Sequence, residues 1–210
     1  CESVYTYTVF IRILIYKKKC KQMTNDHFHI GEGLEANIFE ITDHDAPKVL
    51  KKWKCSNANS VLYQAVLQDL CHKQGISPRI VEIDLENSTI IMDKLYCNLL
   101  TFFTKHKREH SPQTLTRIQM EILHVWNVLD SMGIFHNDAN LCNIMLRNDL
   151  KVFIIDFGFS IPCNKSINRL NTACNPSSFV KWIKDWNKKH PDSKIDKSCY
   201  DLIVKVTNSK

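Results

Sequence analysis

Asp138 and Asn143 lie five residues apart in the run GIFHNDANLCN, residues 133–143, and Asp156 closes the run VFIID thirteen residues after Asn143. Phosphoryl transfer needs such parts: one carboxylate to accept the proton of an attacking hydroxyl, and an amide and a second carboxylate to hold magnesium against phosphate oxygens. An acid at the end of an apolar run such as VFII is costly to desolvate without a partner, and a metal ion is one such partner. His136, in the same loop, reads as a packed scaffold residue rather than a reacting group.

Two segments upstream fit the same chemistry. In IGEGLEANIF, residues 30–39, Gly31 and Gly33 leave a hairpin backbone free to approach phosphates where side chains would collide. On its own this is weak, because two glycines between strands usually mark only a turn. In KVLKKW, residues 48–53, a lysine on a strand beneath that loop can pair with phosphate oxygens as a compact charge, although a basic edge strand is the plainer reading of those residues alone.

The elements that must position these residues fall into two groups. Residues 27–95 read as short strands (HIGEGLEANIFEI, APKVLKKWK, RIVEID, STIIMD) with one helical stretch near 58–74, their turns marked by DHD, GISP and LEN. Residues 112–132 predict a long amphipathic helix with Ser111 as N-cap, Pro112 at its first position and Gly133 as its stop. Leu115, Ile118, Ile122, Val125, Trp126 and Leu129 fall on one face. A strand pair, NIMLRND and LKVFIID, follows, and two amphipathic helices, SSFVKWIKDWNKKHP and DKSCYDLIVKV, complete the chain. The reading is a β-rich lobe followed by an α-rich lobe, with the break near residues 93–98.

Composition narrows the class. With 210 residues, 44% hydrophobic and 24% charged, the chain has enough apolar material for one or two small cores and is not disordered, collagenous or coiled-coil. Nine cysteines without a C-x-x-C pair argue against a zinc ribbon, and their odd number against a secreted disulfide scaffold, so free intracellular thiols are expected. The net charge of +6 is concentrated in residues 1–22, where five basic residues oppose Glu2. No strong nucleic-acid signal remains in the rest of the chain. The apolar run YTYTVFIRILIY, residues 5–16, is well short of the about 20 residues a transmembrane segment needs, and its charges follow it rather than precede it as in a secretory signal. Met23 precedes the first motif and is expected to be the physiological start, with residues 1–22 accessory.

In combination and in this order, the glycine loop, the strand lysine, H-x-D-x-x-x-x-N and D-F-G resemble a protein-kinase-like domain over about residues 27–162. The chain is more similar to small atypical kinases, the RIO family and the kinase of the KEOPS tRNA-modification complex, because GLEANIF resembles their G-A-E-A loop and GISPRI their helix-to-strand junction. Minimal kinases of viruses and bacterial effectors are similar in size and in a D-x-N catalytic loop. The resemblance implies an α+β, bilobal fold with a β-rich N-lobe over 27–95 and a reduced α-helical C-lobe over 96–210, after an accessory segment 1–26. It implies ATP and Mg2+ as cofactors, a protein substrate or regulatory protein partner, and a cytoplasmic location (host cytoplasm for a viral or effector protein).

The roles the resemblance implies are these. Lys51 pairs with phosphate, with Lys52 as the alternative, since VLKKW resembles a V-A-L-K-K-I form in which the first lysine of the pair is used. Asp138 is the catalytic base, and Asn143 and Asp156 bind magnesium. Met92, Asp93 and Leu95 form the gatekeeper and hinge against adenine, with Ile30, Ile38, Val49 and Met145 around the ring. Gly31 and Gly33 cover the phosphates.

The departures bear on activity. Counting back from Gly75, the helix glutamate that pairs with the lysine falls at Gln64, an amide without charge, with Asp69 as the candidate partner if that offset slips by one turn. Asn137 stands where H-R-D has arginine, so switching by loop phosphorylation through that residue is not expected. Asn140 replaces a lysine near the transferred phosphate, and no A-P-E motif follows D-F-G. Three functions therefore compete: an ATP- and Mg-dependent transferase moving the γ-phosphate to serine or threonine, a nucleotide-binding pseudokinase acting through a partner, and a small-molecule kinase. IIDFGFS argues against the last.

Overall fold

The computed structural model describes residues 27–33, 35–42, 46–55, 58–105 and 111–162, together with positions 184, 187–189 and 191. The segment 1–26 and almost all of the two helices expected beyond residue 176 lie outside the described residues.

Five antiparallel strands, β1 (His27–Glu32), β2 (Ala36–Ile41), β3 (Lys48–Trp53), β4 (Ile80–Asp84) and β5 (Thr89–Asp93), form one sheet in the order β1-β2-β3-β5-β4. Side chains alternate across a strand, so register decides which face each residue takes. Lys51 lies opposite Ile38 on β2 and Ile90 on β5, and Val49 lies opposite Met92. This face carries Ala36, Trp53, Ile90 and Met92 into a small core with Val61 and Ala65 of the helix α1 (Ala58–Lys73).

Helix α1 ends in a Schellman cap. The Gly75 N–H donates to the His72 carbonyl at 2.7 Å and the Ile76 N–H to the Cys71 carbonyl at 3.1 Å, with Gly75 at φ +73°. The left-handed conformation is what fixes glycine at this position.

The second group contains β6 (Cys97–Asn98), α2 (Leu99–Lys105), α3 (Pro112–Ser131), β7 (Ile134–Phe135), β8 (Ile144–Leu146), β9 (Val152–Ile154) and β10 (Ile161–Pro162). Strands β6, β8 and β9 form a three-stranded sheet, and β10 pairs with β7. Helix α3 is capped by Ser111, whose Oγ accepts the Thr114 N–H, and begins at Pro112. It buries Ile118, Ile122, Val125, Trp126 and Leu129 against the larger core. Each fully buried Leu or Ile there contributes about 1.5–3 kcal/mol. The α+β class expected from the sequence is the class the molecule adopts. Helix α2 and the short strands β6, β7 and β10 were not expected. Asn98 signals α2, since its Oδ1 accepts the Thr101 N–H at 2.7 Å as an N-cap.

Candidate active site

Strand alternation turns Lys51 toward α1, with its side chain 12% exposed, while Lys52 is on the opposite, exposed face. Lys51 Nζ donates to Asp156 Oδ1 at 2.9 Å and to Gln64 Oε1 at 3.2 Å. The ammonium also stands 4.8 Å from the centre of the Trp53 ring. Strand β3, helix α1 and the segment after Val152–Ile154 thus meet at one cation.

Asp156 lies two residues beyond the end of β9 at Ile154. The Ile155 N–H donates to the Asn143 carbonyl at 3.0 Å, which sets Asn143 beside Asp156. Asp156 has φ +67°, a left-handed conformation that a non-glycine residue adopts at a cost. Asn143 spends its amide hydrogens on Asp138: Nδ2 donates to Asp138 Oδ2 and to the Asp138 carbonyl, both at 2.8 Å. Asn140 Nδ2 donates to Asp138 Oδ1 at 3.0 Å, and its own Oδ1 accepts the Cys142 N–H at 2.8 Å. The Asp138 carboxylate is therefore held from both oxygens by neutral donors. Burial raises its pKa above the ordinary aspartate value, against the lowering effect of these hydrogen bonds.

His136 is fully buried, packed edge-on to Phe157 with ring centres 5.1 Å apart. Its Nδ1 accepts the Asp138 N–H at 3.3 Å, so the proton of the neutral ring belongs on Nε2, which donates to the Ile155 carbonyl at 3.0 Å. Burial pushes its pKa down to about 4. The ring is a neutral brace between the two loops that carry Asp138 and Asp156, consistent with a scaffold residue.

The remaining predicted residues line the sheet side. Ile30 is half exposed on β1, Ile38, Val49 and Met145 are partly buried, and Met92 is buried under the Gln68 amide. Asp93 ion-pairs with Arg79 through its side chain at 3.3 Å. The N–H groups of Asp93, Lys94 and Tyr96 donate to the carbonyls of Arg79, Pro47 and Leu146, whereas no described residue takes up that of Leu95. A Cβ at Gly31 would meet Ile38 Cβ at 3.9 Å and one at Gly33 the Ala36 carbonyl at 3.6 Å, ordinary contacts in both cases. Nothing within the described chain forbids side chains there, so what the two glycines leave free is the space outside the loop.

Magnesium is satisfied by one or two protein oxygens together with phosphate oxygens and water. Asn143 Oδ1 and Asp156 Oδ2, two hard oxygens without described partners, fit that requirement. Among the described residues no cluster of three or more His, Cys, Asp or Glu exists that could hold a metal without a ligand's help.

Sequence reasoning missed the ties on the segment after Phe157. The Tyr63 hydroxyl donates to the Ser160 carbonyl at 2.6 Å, Ser160 Oγ to the His136 carbonyl at 3.2 Å, and Asn137 Nδ2 to the Phe159 carbonyl at 3.0 Å. Only the unusual Asn137, in the left-handed region at φ +63°, offered a sequence signal.

The protein kinase domain family matches residues 24–207. A probable serine/threonine-protein kinase of Dictyostelium discoideum is 28% identical over 70% of the chain, and the CTD kinase subunit alpha of Schizosaccharomyces pombe is 22% identical over 97%. A probable inactive serine/threonine-protein kinase of D. discoideum is 26% identical over 62%. The chain spans 16%, 32% and 12% of the lengths of these three relatives.

Proposed function

The chain belongs to the protein kinase domain family, and from that premise we propose that it is an ATP- and Mg-dependent phosphotransferase acting on serine or threonine hydroxyls of a protein. The observation that carries this is the Lys51–Asp156 ion pair, adjacent through Ile155 and Asn143 to a carboxylate, Asp138, held ready by two amides. In this reading Lys51 orients phosphate oxygens and the Leu95 N–H, unpartnered among the described residues, donates to adenine. Ile30, Ile38, Val49 and Met145 enclose the ring against Met92. Gly31 and Gly33 leave the loop backbone room above the phosphates. Asp138 accepts the proton of the acceptor hydroxyl as its oxygen bonds to the γ-phosphorus and the bond to the β-phosphate oxygen breaks. A magnesium ion held by Asn143 and Asp156 would neutralise phosphate charge. Burial keeps Asp138 more basic than an exposed aspartate, which suits a proton acceptor.

Asp138→Asn tests the assignment. General-base catalysis contributes about 10²–10⁴-fold, so transfer should fall by that factor while ATP affinity stays within about twofold. Wild-type turnover in the mutant would remove Asp138 from the role. A second reading, a nucleotide-binding pseudokinase acting through a protein partner, is favoured by one observation: Gln64 gives Lys51 a neutral partner. Measured nucleotide binding without phosphate transfer would select it.

A further inference from the structure

Lys51 meets one carboxylate and one amide, and the amide has a second side. Gln64 gives Oε1 to Lys51, which leaves the two hydrogens of Nε2 facing away. Nε2 reaches Ser60 Oγ only at 3.5 Å. It also borders Gly158: a Cβ built there would lie 3.1 Å from Gln64 Nε2 and 3.6 Å from Glu35 Oε2. Gly158 does not have a positive φ, so glycine matters here through the space it leaves and not through backbone freedom. That space is a window with an amide donor on one side and a carboxylate on the other. The Glu35 side chain is exposed and has no hydrogen-bond partner among the described residues. Its backbone is anchored, since its carbonyl accepts the Lys54 N–H at 2.9 Å.

We propose that Glu35, carried on the turn between β1 and β2, is a positioning residue for Lys51, supplying through the Gln64 amide the negative charge that helix α1 lacks. The relay runs from the Glu35 carboxylate to Gln64 Nε2–H, and from Gln64 Oε1 to the Lys51 ammonium. Hydrogen bonds in series polarise one another, so an amide between a carboxylate and a cation binds each more strongly than it would bind either alone. Rotation about the free side-chain bonds of Glu35 brings its oxygens through the window. Because Glu35 is on the same turn as Gly33, the relay would tie that turn to lysine alignment. The proposal rests on the nucleotide-site reading above.

It also reverses a simple expectation for Gln64→Glu. A carboxylate at 64 would restore a charge-assisted partner for Lys51, but it would lose the Nε2–H donor and face Glu35 as a like charge. The substitution should gain nothing unless Glu35 is neutralised at the same time.

The experiment is the cycle of wild type, Glu35→Gln, Gln64→Glu and the double variant, read as ATP hydrolysis without acceptor and as the dissociation constant of Mg-ATP. Glu35→Gln should lower kcat about tenfold with KM for ATP changed less than about threefold, Gln64→Glu should not exceed wild type, and the double variant should recover most of the loss. Should hydrolysis be absent, a non-additive pattern of the same sign, within about threefold, is expected in the dissociation constants. Wild-type behaviour of Glu35→Gln, or additive losses in the double variant, overturns the proposal. So does a Glu35→Gln defect erased by excess magnesium, which would make Glu35 a metal ligand. If wild type fails to bind Mg-ATP, the nucleotide-site reading fails and the relay with it. If it binds and the cycle is additive, only the relay fails.

Discussion

Asp156 takes a proton donor on one oxygen, and the other has no partner among the described residues. Lys51 occupies Oδ1, so an ion on Oδ2 would share the carboxylate with an ammonium. Removing the side chain by Asp156→Ala should therefore weaken Mg-ATP binding far more than metal-free ATP binding, measured by titration with and without a chelator. Equal losses in the two titrations would assign Asp156 a folding role. His136 behaves differently because it carries no charge in the fold. Its folded pKa of about 4 is below its ordinary 6.5, so between those values the unfolded chain binds a proton that the folded chain refuses. Stability from this group is complete above about pH 6.5 and falls as pH drops toward 4, with a slope approaching 1.4 kcal/mol per pH unit. Urea midpoints from pH 7.5 to 4.5 should show the decline, and His136→Asn should flatten it. An unchanged slope in that variant would place the titration elsewhere.

At the scale of elements, what could be read from the sequence was what local spacing encodes. Helix α3 announced itself through Ser111, Pro112 and a repeating apolar face, and all of those features reappear in its cap and buried side. Helix α1 has a less regular stripe, because it buries Gln64 and Gln68 among apolar neighbours, yet its end was legible in Gly75. Helix α2 is only seven residues and escaped notice, its Asn98 cap being a single residue without periodicity behind it. The spacing of Asp138 and Asn143 is local, and so is the hydrogen bond between them. The meeting of Glu35, Gln64 and Gly158 is tertiary, and no spacing in the chain records it. The cap on α1 gives a measurable consequence. A Cβ at position 75 would meet only the flexible end of Lys151, at 3.3 Å, so the strain of Gly75→Ala is in the backbone at φ +73°. It should cost about 1–2 kcal/mol and lower Tm by about 2–4 °C per kcal/mol. A Tm within 1 °C of wild type, on the order of the error of such a measurement, would show that the helix end relaxes out of the left-handed region.

Across the whole molecule, α1 is the part that belongs to both cores. Val61 and Ala65 pack under the five-stranded sheet, while Leu67 and Cys71 enter the larger cluster with α3 and β9. Burial pushes the Cys71 thiol up to about 12, so it packs there as a small apolar side chain. The same helix carries Gln64 to Lys51 and Tyr63 to the segment after Phe157. That segment is fixed without a phosphate: Asn137 and Tyr63 each hold one of its carbonyls, and β10 pairs with β7. Packing sets where α1 lies, and the Tyr63 hydroxyl ties it to the Ser160 carbonyl. Removing that hydroxyl by Tyr63→Phe keeps the ring and loses one hydrogen bond, at a cost of about 0.5–1.5 kcal/mol to global stability. The effect on turnover should exceed what the stability loss explains, because a helix free to rotate releases Gln64 from Lys51. The expected result is a several-fold lower kcat with ATP affinity nearly unchanged, and faster amide hydrogen exchange confined to α1 and residues 157–161. Exchange that rises equally in α3 would mean that the bond contributes only to overall stability and that packing alone fixes the helix.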